Sequence, residues 1–322
     1  MNNILITSAG QRVSLVRAFQ KEIRKVDKTG KVFTVDLNPM LAPACHVSDG
    51  SKEICRVTDA DYISKLLEIC KNWEIKIIIP TIDTELIVLA ENRELLLQNG
   101  ITPIISSEDF IKKCRDKRII NEFFKENNID IPQEVDKKNV TFPLFIKPYD
   151  GSLSKDTFLI RDFSELTEYH FQNPKLMFME YIDHDVYDEY TVDTYYDKNG
   201  ELKCIVPRKR IFIRAGEVNK GVTSKNEIVN YVKSNLSKIE GAVGCLTMQF
   251  FFHPIEKRII AIEINSRFGG GYPLSYLAGA NYPEWIIKEY LFNEEIPYFE
   301  DWEDNLLMLR YDDEVLVHNY EE

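Results

Sequence analysis

The six cysteines, at 45, 55, 70, 114, 204 and 245, include no CxxC pair, and the five histidines show no HExxH or other ligand spacing. These absences exclude a zinc ribbon, a disulfide framework and a zincin-type site, and reduced thiols are expected. No apolar run approaches the roughly 18 to 20 residues that cross a bilayer. The opening MNNILITSAG enters a strand pattern at once, without the charged-then-apolar signature of a signal peptide, so a cytoplasmic protein with no membrane partner is expected. Positive charge is also scarce: 40 Lys and Arg stand against 52 Asp and Glu, for a net charge of −12, and no basic stripe dominates any segment. Duplex nucleic acid is therefore not an expected partner. TSAGQR offers one glycine where a dinucleotide fingerprint GxGxxG needs three, GxxxxGK[ST] is missing, and no Ser/His/Asp set is evident.

What is present is a chain of 322 residues, 44% hydrophobic and 29% charged, enough for two or three globular domains. Its first third alternates strand and helix patterns. NILITS (3–8) is an apolar run, and Val16, Phe19, Ile23 and Val26 recur at helical spacing. VFTVD (32–36) follows as a second strand, ending in an acid suited to a ribose hydroxyl. Further strands are expected at 53–57, 75–80 (IKIIIP) and 101–106 (ITPIIS), with helices at 60–71 and from TIDTE onward. Asp83 and Glu85 then sit at the carboxyl end of a parallel strand, where open α/β sheets place ligands; they fit equally as acids at a helix N-terminus. Near 106 the pattern changes to two helical pieces (107–114 and 116–128), and strands dominate afterwards.

Three stretches in the second part carry chemistry. FPLFIKPYDGSLSKDTFLI (142–160) delivers Lys147 at a strand end and follows it with the small-residue loop Gly151-Ser152-Leu153-Ser154-Lys155, whose amides could approach phosphate oxygens; a hairpin turn uses the same residues. LMFMEYIDHDVYDEYTVDTYY (176–196) reads as strand, polar break, strand. Glu180, Tyr181 and Ile182 could form a hinge that meets an adenine, with Glu189 for ribose hydroxyls, or the stretch is a plain hairpin. IVPRKRIFIRAGE (205–217) places Arg208, Arg210 and Arg214 on one strand face, as an anion pocket or a solvated basic edge.

The stretch 245–271, CLTMQFFFHPIEKRIIAIEINSRFGGG, reads as two antiparallel strands turning near Glu256. That register sets 253 against 259, 251 against 261 and Gln249 against Glu263. Alternation gives Glu263 and Asn265 one face and turns Ile262 and Ile264 toward apolar packing. Three oxygen-bearing side chains converge, as a hard cation such as Mg²⁺ requires. A polar outer face of an ordinary hairpin would look alike.

Taken in order, these pieces resemble the ATP-grasp superfamily, and within it the branch similar to the large subunit of carbamoyl-phosphate synthetase. The resemblance rests on CRDKRIINEFFKENNIDIP, FPLFIKP, MEYI with Glu189, and MQFFF…IEINSRFGGGYPLSYLAGAN, and it spans essentially the whole chain. It implies an α/β and α+β multidomain architecture. A Rossmann-like parallel-sheet domain (1–106) would precede an ATP-grasp domain (107–322), with a lid at about 117–179 and a metal- and phosphate-binding part at about 180–322. Carried over position by position, it implies Lys117 and Lys147 on the nucleotide phosphates, Ser152, Ser154 and Lys155 in the covering loop, and Glu180, Tyr181 and Ile182 at the adenine. Glu189 would meet the ribose, Gln249, Glu263 and Asn265 would hold Mg²⁺ or Mn²⁺, and Arg267 would lie by the transferred phosphate. Two departures stand out: Asp156 replaces the loop's usual closing glycine, and Asp183-His184-Asp185 replaces the glycine before the ribose acid, which leaves Asp188 open beside Glu189.

The activity this implies is an ADP-forming ligase that activates a small-molecule carboxylate as an acylphosphate and passes it to an amine, or to a thiol. Arg210 and Arg214 are candidate anchors for the substrate carboxylate. The alternatives are phosphorylation of carbamate or bicarbonate, as in one half of the synthetase, and a catalytically silent nucleotide-binding protein. A homodimer is the default assembly.

Overall fold

Apolar runs buried on both faces pair as parallel strands when helices cover the sheet on either side. The computed structural model, which describes residues 2–151, 155–214, 216–318 and 320, opens in this way. Its first elements are β1 (Asn3–Thr7), α1 (Val13–Val26), β2 (Val32–Asp36), α2 (Pro43–Val47), β3 (Ser51–Glu53), α3 (Tyr62–Asn72), β4 (Ile75–Pro80), α4 (Asp83–Glu91), α5 (Arg93–Gln98) and β5 (Thr102–Pro103). The strands form a five-stranded parallel sheet of order β3-β2-β1-β4-β5. Strand order reverses between β1 and β4, and a crevice opens there at the carboxyl ends. The loop 8–12 leaves β1 at that point, and Thr81 and Ile82 lead from β4 into α4.

Two expected strands differ in extent. The strand expected at 53–57 ends at Glu53 instead: Ser51–Glu53 is an exposed edge, and Ile54 turns into the core beyond it. The run 101–106 contracts to Thr102–Pro103, because Pro103 has no N–H to continue the ladder; Ile104 N still donates to Ile78 O at 2.9 Å. Val26, at the end of α1, is exposed.

Next come α6 (Glu108–Arg115) and α7 (Lys117–Glu126). Ser107 caps the first by accepting from Phe110 N, and Asp116 caps the second by accepting from Arg118 N. A three-stranded antiparallel sheet, β7-β6-β8, is built from β6 (Leu144–Pro148), β7 (Phe158–Ile160) and β8 (Leu176–Glu180), with α8 (Glu168–Gln172) between the last two. β9 (Asp188–Tyr196) then enters another sheet, so 176–196 is not a plain hairpin but a crossing between sheets. The remaining elements are β10 (Leu202–Arg214), β11 (Glu217–Thr223), α9 (Glu227–Asn235), β12 (Gly244–Phe252), β13 (Ile259–Asn265), α10 (Tyr272–Leu277), α11 (Tyr282–Leu291) and β14 (Leu307–Leu309). Six of these strands form the sheet β13-β12-β9-β10-β11-β14.

The two faces of that sheet explain where a site can be. On one, Tyr190, Val192, Met248, Phe250 and Ile264 pack against Ile120 and Phe124 of α7 and Ile228 and Val232 of α9. The other changes character along its length. At one end Tyr195, Cys204, Val206 and Cys245 join a core cluster with Ile4, Phe19, Phe268, Tyr282 and Ile286, which packs the parallel sheet against this face. Farther along, the same alternation presents Glu189, Thr191 and Asp193 of β9, Thr247 and Gln249 of β12, Glu263 and Asn265 of β13, and Arg208 and Arg210 of β10. The polar stretch therefore lies beside the crevice of the parallel sheet. Among the described residues no helix is long and apolar enough to cross a membrane.

Candidate functional site

Gln249 lies directly opposite Glu263, as the hairpin register requires. Toward the turn the register slips by one, pairing Phe252 with Ile259 and Phe250 with Ala261, so Ile262 is the extra residue of a bulge and only half-buried, not turned into the core. A bulge re-aims the side chains beyond it, here Glu263 and Asn265. Asn265 Nδ2 donates to Glu263 Oε1 at 3.0 Å, and Glu263 Oε2 lies 3.5 Å from Lys117 Nζ.

Lys117 is the first residue of α7, where the Asp116 cap fixes its direction. Its backbone N donates to Tyr149 O at 2.9 Å and its ammonium to Gly151 O at 2.7 Å, which ties the helix start to the end of β6. Lys147, on β6, is only 8% exposed, and among the described residues no carboxylate pairs with it. Burial first, and the like charge of Lys117 second, push its ammonium down to about 8, partly offset by Glu263. Two ammonium groups thus face one carboxylate. That surplus suits a phosphate-rich ligand, and the Gln249, Glu263 and Asn265 oxygens suit a hard cation.

At the crossing between sheets, Glu180 N donates to Gln133 O at 2.7 Å, and its carboxylate accepts from Gln133 N at 3.1 Å. Ile182 is buried and Tyr181 half-buried. His184 stands edge-on to Phe251 at 5.2 Å, pinning the crossing to the polar face of the large sheet. Glu189, across from Phe251, shares that face, whereas Asp188 points to the other and pairs with Lys209 at 2.7 Å. Ser152 and Ser154 lie outside the described residues; Lys155 is exposed. Asp156 has φ +57°, the left-handed conformation for which glycine is the default and which Asp tolerates, and Tyr169 Oη donates to its carboxylate at 2.6 Å.

The arginines of β10 do not form the expected common pocket. Arg208 is fully buried on Asp193, Arg210 lies 3.3 Å from Glu189, and Arg214 pairs with Asp312 at the surface. Register shifts between Arg210 and Ile213 break the alternation that would have aligned Arg214 with the other two.

Arg267, just past β13, reaches the parallel sheet: its Nη2 lies 2.6 Å from Asp83 Oδ2 and its Nε 3.1 Å. Asp83 and Glu85 both lie in the first turn of α4, as the helix-acid alternative expects, and Asp83 is engaged by Arg267. Glu85 points the other way and is fully buried, accepting from Tyr62 Oη at 2.5 Å and Ser8 Oγ at 3.1 Å. Burial raises its carboxyl above the ordinary range, while these hydrogen bonds lower it. Its effect is to brace the loop 8–12, whose Ser8 has φ +50°.

Residues 4–104 match the family model described as "PylC-like, N-terminal domain", and residues 172–311 the model described as "ATP-grasp in the biosynthetic pathway with Ter operon". Among solved structures, biotin carboxylase from Campylobacter jejuni in its β,γ-ATP complex aligns with a TM-score of 0.73 at 16% identity, over 95% of this chain and 74% of that one. The N5-carboxyaminoimidazole synthetase of Staphylococcus aureus, complexed with ADP, gives 0.70 at 16% identity over 96% and 80%. An L-amino acid ligase from Bacillus licheniformis gives 0.66 at 16% over 90% and 74%. The chain has the ATP-grasp fold. No curated protein matches it in sequence.

The ATP-grasp fold brings four further charged residues to the cleft that sequence reasoning passed over: Arg12, Asp193, Glu217 and Arg310. Arg12 carries a signal, since it follows Gly10 at the carboxyl end of a parallel strand. Glu217 and Arg310 carry none; β11 is mostly polar and β14 only three residues long, and only their pairing brings the two together.

Proposed function

We propose that the chain is an ATP-dependent, ADP-forming ligase that joins a small-molecule carboxylate to an amine or thiol through an acylphosphate. The observation that carries this reading is the meeting at Glu263: it faces Gln249 across the hairpin, touches Asn265, lies 3.5 Å from Lys117, and is near enough to Lys147 to offset part of its shift. In this reading Lys117 and Lys147 hold nucleotide phosphates under the loop of Ser152, Ser154 and Lys155. The backbone of Glu180, Tyr181 and Ile182 borders the adenine, and Glu189, oriented by Arg210, meets the ribose. Gln249, Glu263 and Asn265 would hold Mg²⁺, which supplies charge neutralisation on the phosphate oxygens. The Campylobacter jejuni and Staphylococcus aureus neighbours, solved with an ATP form and with ADP, support the nucleotide.

A carboxylate oxygen of the acid attacks the γ-phosphorus, and the bond from that phosphorus to the β,γ-bridging oxygen breaks as ADP leaves. The amine then attacks the acyl carbon; the bond from that carbon to the phosphate oxygen breaks, and the amine's proton passes to solvent. The protein's part is positioning and charge placement, for which no nucleophile or Ser/His/Asp set is needed. We assign residues 1–106 and 107–322 to separate domains, with the β7-β6-β8 sheet closing as a lid that excludes water from the acylphosphate. The motif order is that of the branch similar to carbamoyl-phosphate synthetase, in a single copy in a cytoplasmic enzyme.

Hydroxylamine trapping tests the reaction. With ATP, Mg²⁺ and a panel of amino acids and sugar acids, a hydroxamate with matched ADP release is expected, and none from Glu263→Ala. AMP release contradicts the reading. ATP turnover that needs bicarbonate and no organic acid would point to bicarbonate phosphorylation instead.

A further inference from the structure

A second group of charges lies in the same cleft, beyond Arg267 and away from the nucleotide residues. Arg12 enters from the loop after β1, Arg310 follows β14, and Glu217 opens β11. One oxygen of Glu217 lies 3.2 Å from Arg12 Nη1, and the other lies 3.2 Å from Arg310 Nη1. Arg310 also donates through Nη2 to Gly270 O and through its backbone N to Asn219 O at 3.0 Å.

Directly alongside sits Arg208. Its Nε and Nη2 are taken by Asp193 at 2.8 and 3.0 Å, but Nη1 is buried with no hydrogen-bond partner among the described residues. The glycine run after Arg267 lets these groups come close. A Cβ on Gly270 would stand 2.2 Å from Glu217 Oε1, and one on Gly271 2.2 Å from Arg208 Nη1.

The charges do not cancel. Arg12, Arg267 and Arg310 bring three positive charges, Glu217 and Asp83 bring two negative ones, and Arg208 with Asp193 is neutral, so one positive charge is left over. Burial lowers the guanidinium of Arg12; Glu217 opposes that, and Arg267 and Arg310 add like charge. Glu217, the counter-ion, keeps 46% of its side chain exposed and can leave by rotating outward. Guanidinium forks from opposite sides of a cleft, bridged by one mobile carboxylate, form a receptor for a carboxylate or phosphate that arrives from outside.

We propose that Arg12 and Arg310 form a second anion subsite, filled by Glu217 when no substrate is bound, and that the acid activated beside Arg267 carries a second acidic group. The proposal rests on the ligase reading and names its substrate class: an acid with a further carboxylate or phosphate, which displaces Glu217 as it binds. A strap of ion pairs holding the segment after β14 to the loop after β1 is the competing role.

Calorimetric titration in the presence of a saturating non-hydrolysable ATP analogue and Mg²⁺ separates the two. Glutarate, L-glutamate and 3-phosphoglycerate are each titrated against glutaramate, L-glutamine and glycerate, in the wild type, Arg310→Gln and Glu217→Gln. At least one acid is expected to bind about 10-fold or more tightly than its counterpart, as a charge-assisted pair supplies. Arg310→Gln should abolish that preference without changing the counterpart's Kd, and Glu217→Gln should tighten the acid. Whether a dicarboxylate or the phosphate compound shows the preference identifies the second group. Arg12→Gln serves if Arg310→Gln does not fold. Equal Kd within every pair, no binding of any acid while the analogue binds, or equal weakening of acid and counterpart by Arg310→Gln overturns the subsite. Failure of the analogue itself to bind overturns the ligase reading and the subsite with it.

Discussion

At the scale of the residue, the buried cation Lys147 gives the site its most direct pH signature. A lysine whose ammonium is pushed down to about 8 by burial and by Lys117 loses its proton above that pH in the free enzyme. kcat/KM for ATP is therefore expected to fall as pH rises through about 8, and Lys147→Arg to move that limb to higher pH. The same shift has a stability consequence of fixed sign. Between pH 8 and the ordinary lysine range the unfolded chain binds more protons than the folded one, so stability rises with pH there and the cost is fully present below pH 8. Lys147→Met should then raise the Tm of the ligand-free protein at neutral pH, by on the order of 1–3 kcal/mol in stability, while abolishing turnover. A lower Tm would contradict a burial cost at this residue. Asp156 makes a related point: the left-handed φ of +57° is a property of the turn, and the aspartate adopts it with the help of Tyr169, so the residue type departs from the superfamily's pattern while the backbone remains the one glycine would favour.

At the scale of the element, α7 is the joint between fold and chemistry. Its first residue, Lys117, holds Gly151 in the loop after β6 of the small sheet and faces Glu263 on the large one, and its cap is Asp116. Asp116→Ala removes the acceptor for Arg118 N and is expected to cost about 1 kcal/mol of stability. It should also raise KM for ATP by loosening Lys117, with kcat less affected; unchanged KM with lowered Tm would reduce Asp116 to a helix cap alone. What could be read from the sequence at this scale was uneven. Long periodic or apolar segments such as α1, β4 and β12 were legible, because burial on both faces or one imposes a pattern. β11 and β14 were not, since EVNKGVT carries too little apolar alternation to announce a strand and LML is only three residues long, while β3 was expected too far along the chain. The hairpin register was correct at Gln249 and Glu263 but off by one toward its turn, because the bulge at Ile262 has no signature in a run of isoleucines.

At the scale of the whole molecule, the site exists because two sheets of different kind are packed through one apolar cluster. Ile4, Phe19, Tyr195, Phe268 and Tyr282 belong to it together, and it holds the crevice of the parallel sheet against the polar stretch of the six-stranded one. The Arg267–Asp83 pair at 2.6 Å crosses that junction. The order of motifs made the fold legible, since each strand end that carries chemistry is a local feature. The arginine set was not legible. Arg208, Arg210 and Arg214 are neighbours in sequence yet each engages a different carboxylate, whereas Arg12, Arg267 and Arg310 are far apart in sequence and meet only through packing. The claim on which the functional reading depends is that Gln249, Glu263 and Asn265 form a metal-dependent nucleotide site with Lys117 and Lys147. Calorimetric titration of the wild type and Glu263→Ala with a non-hydrolysable ATP analogue, with and without Mg²⁺, tests it most directly. Binding is expected that strengthens with Mg²⁺ in the wild type and loses that dependence in Glu263→Ala; no binding by the wild type, or an identical Mg²⁺ dependence in the two proteins, would contradict it.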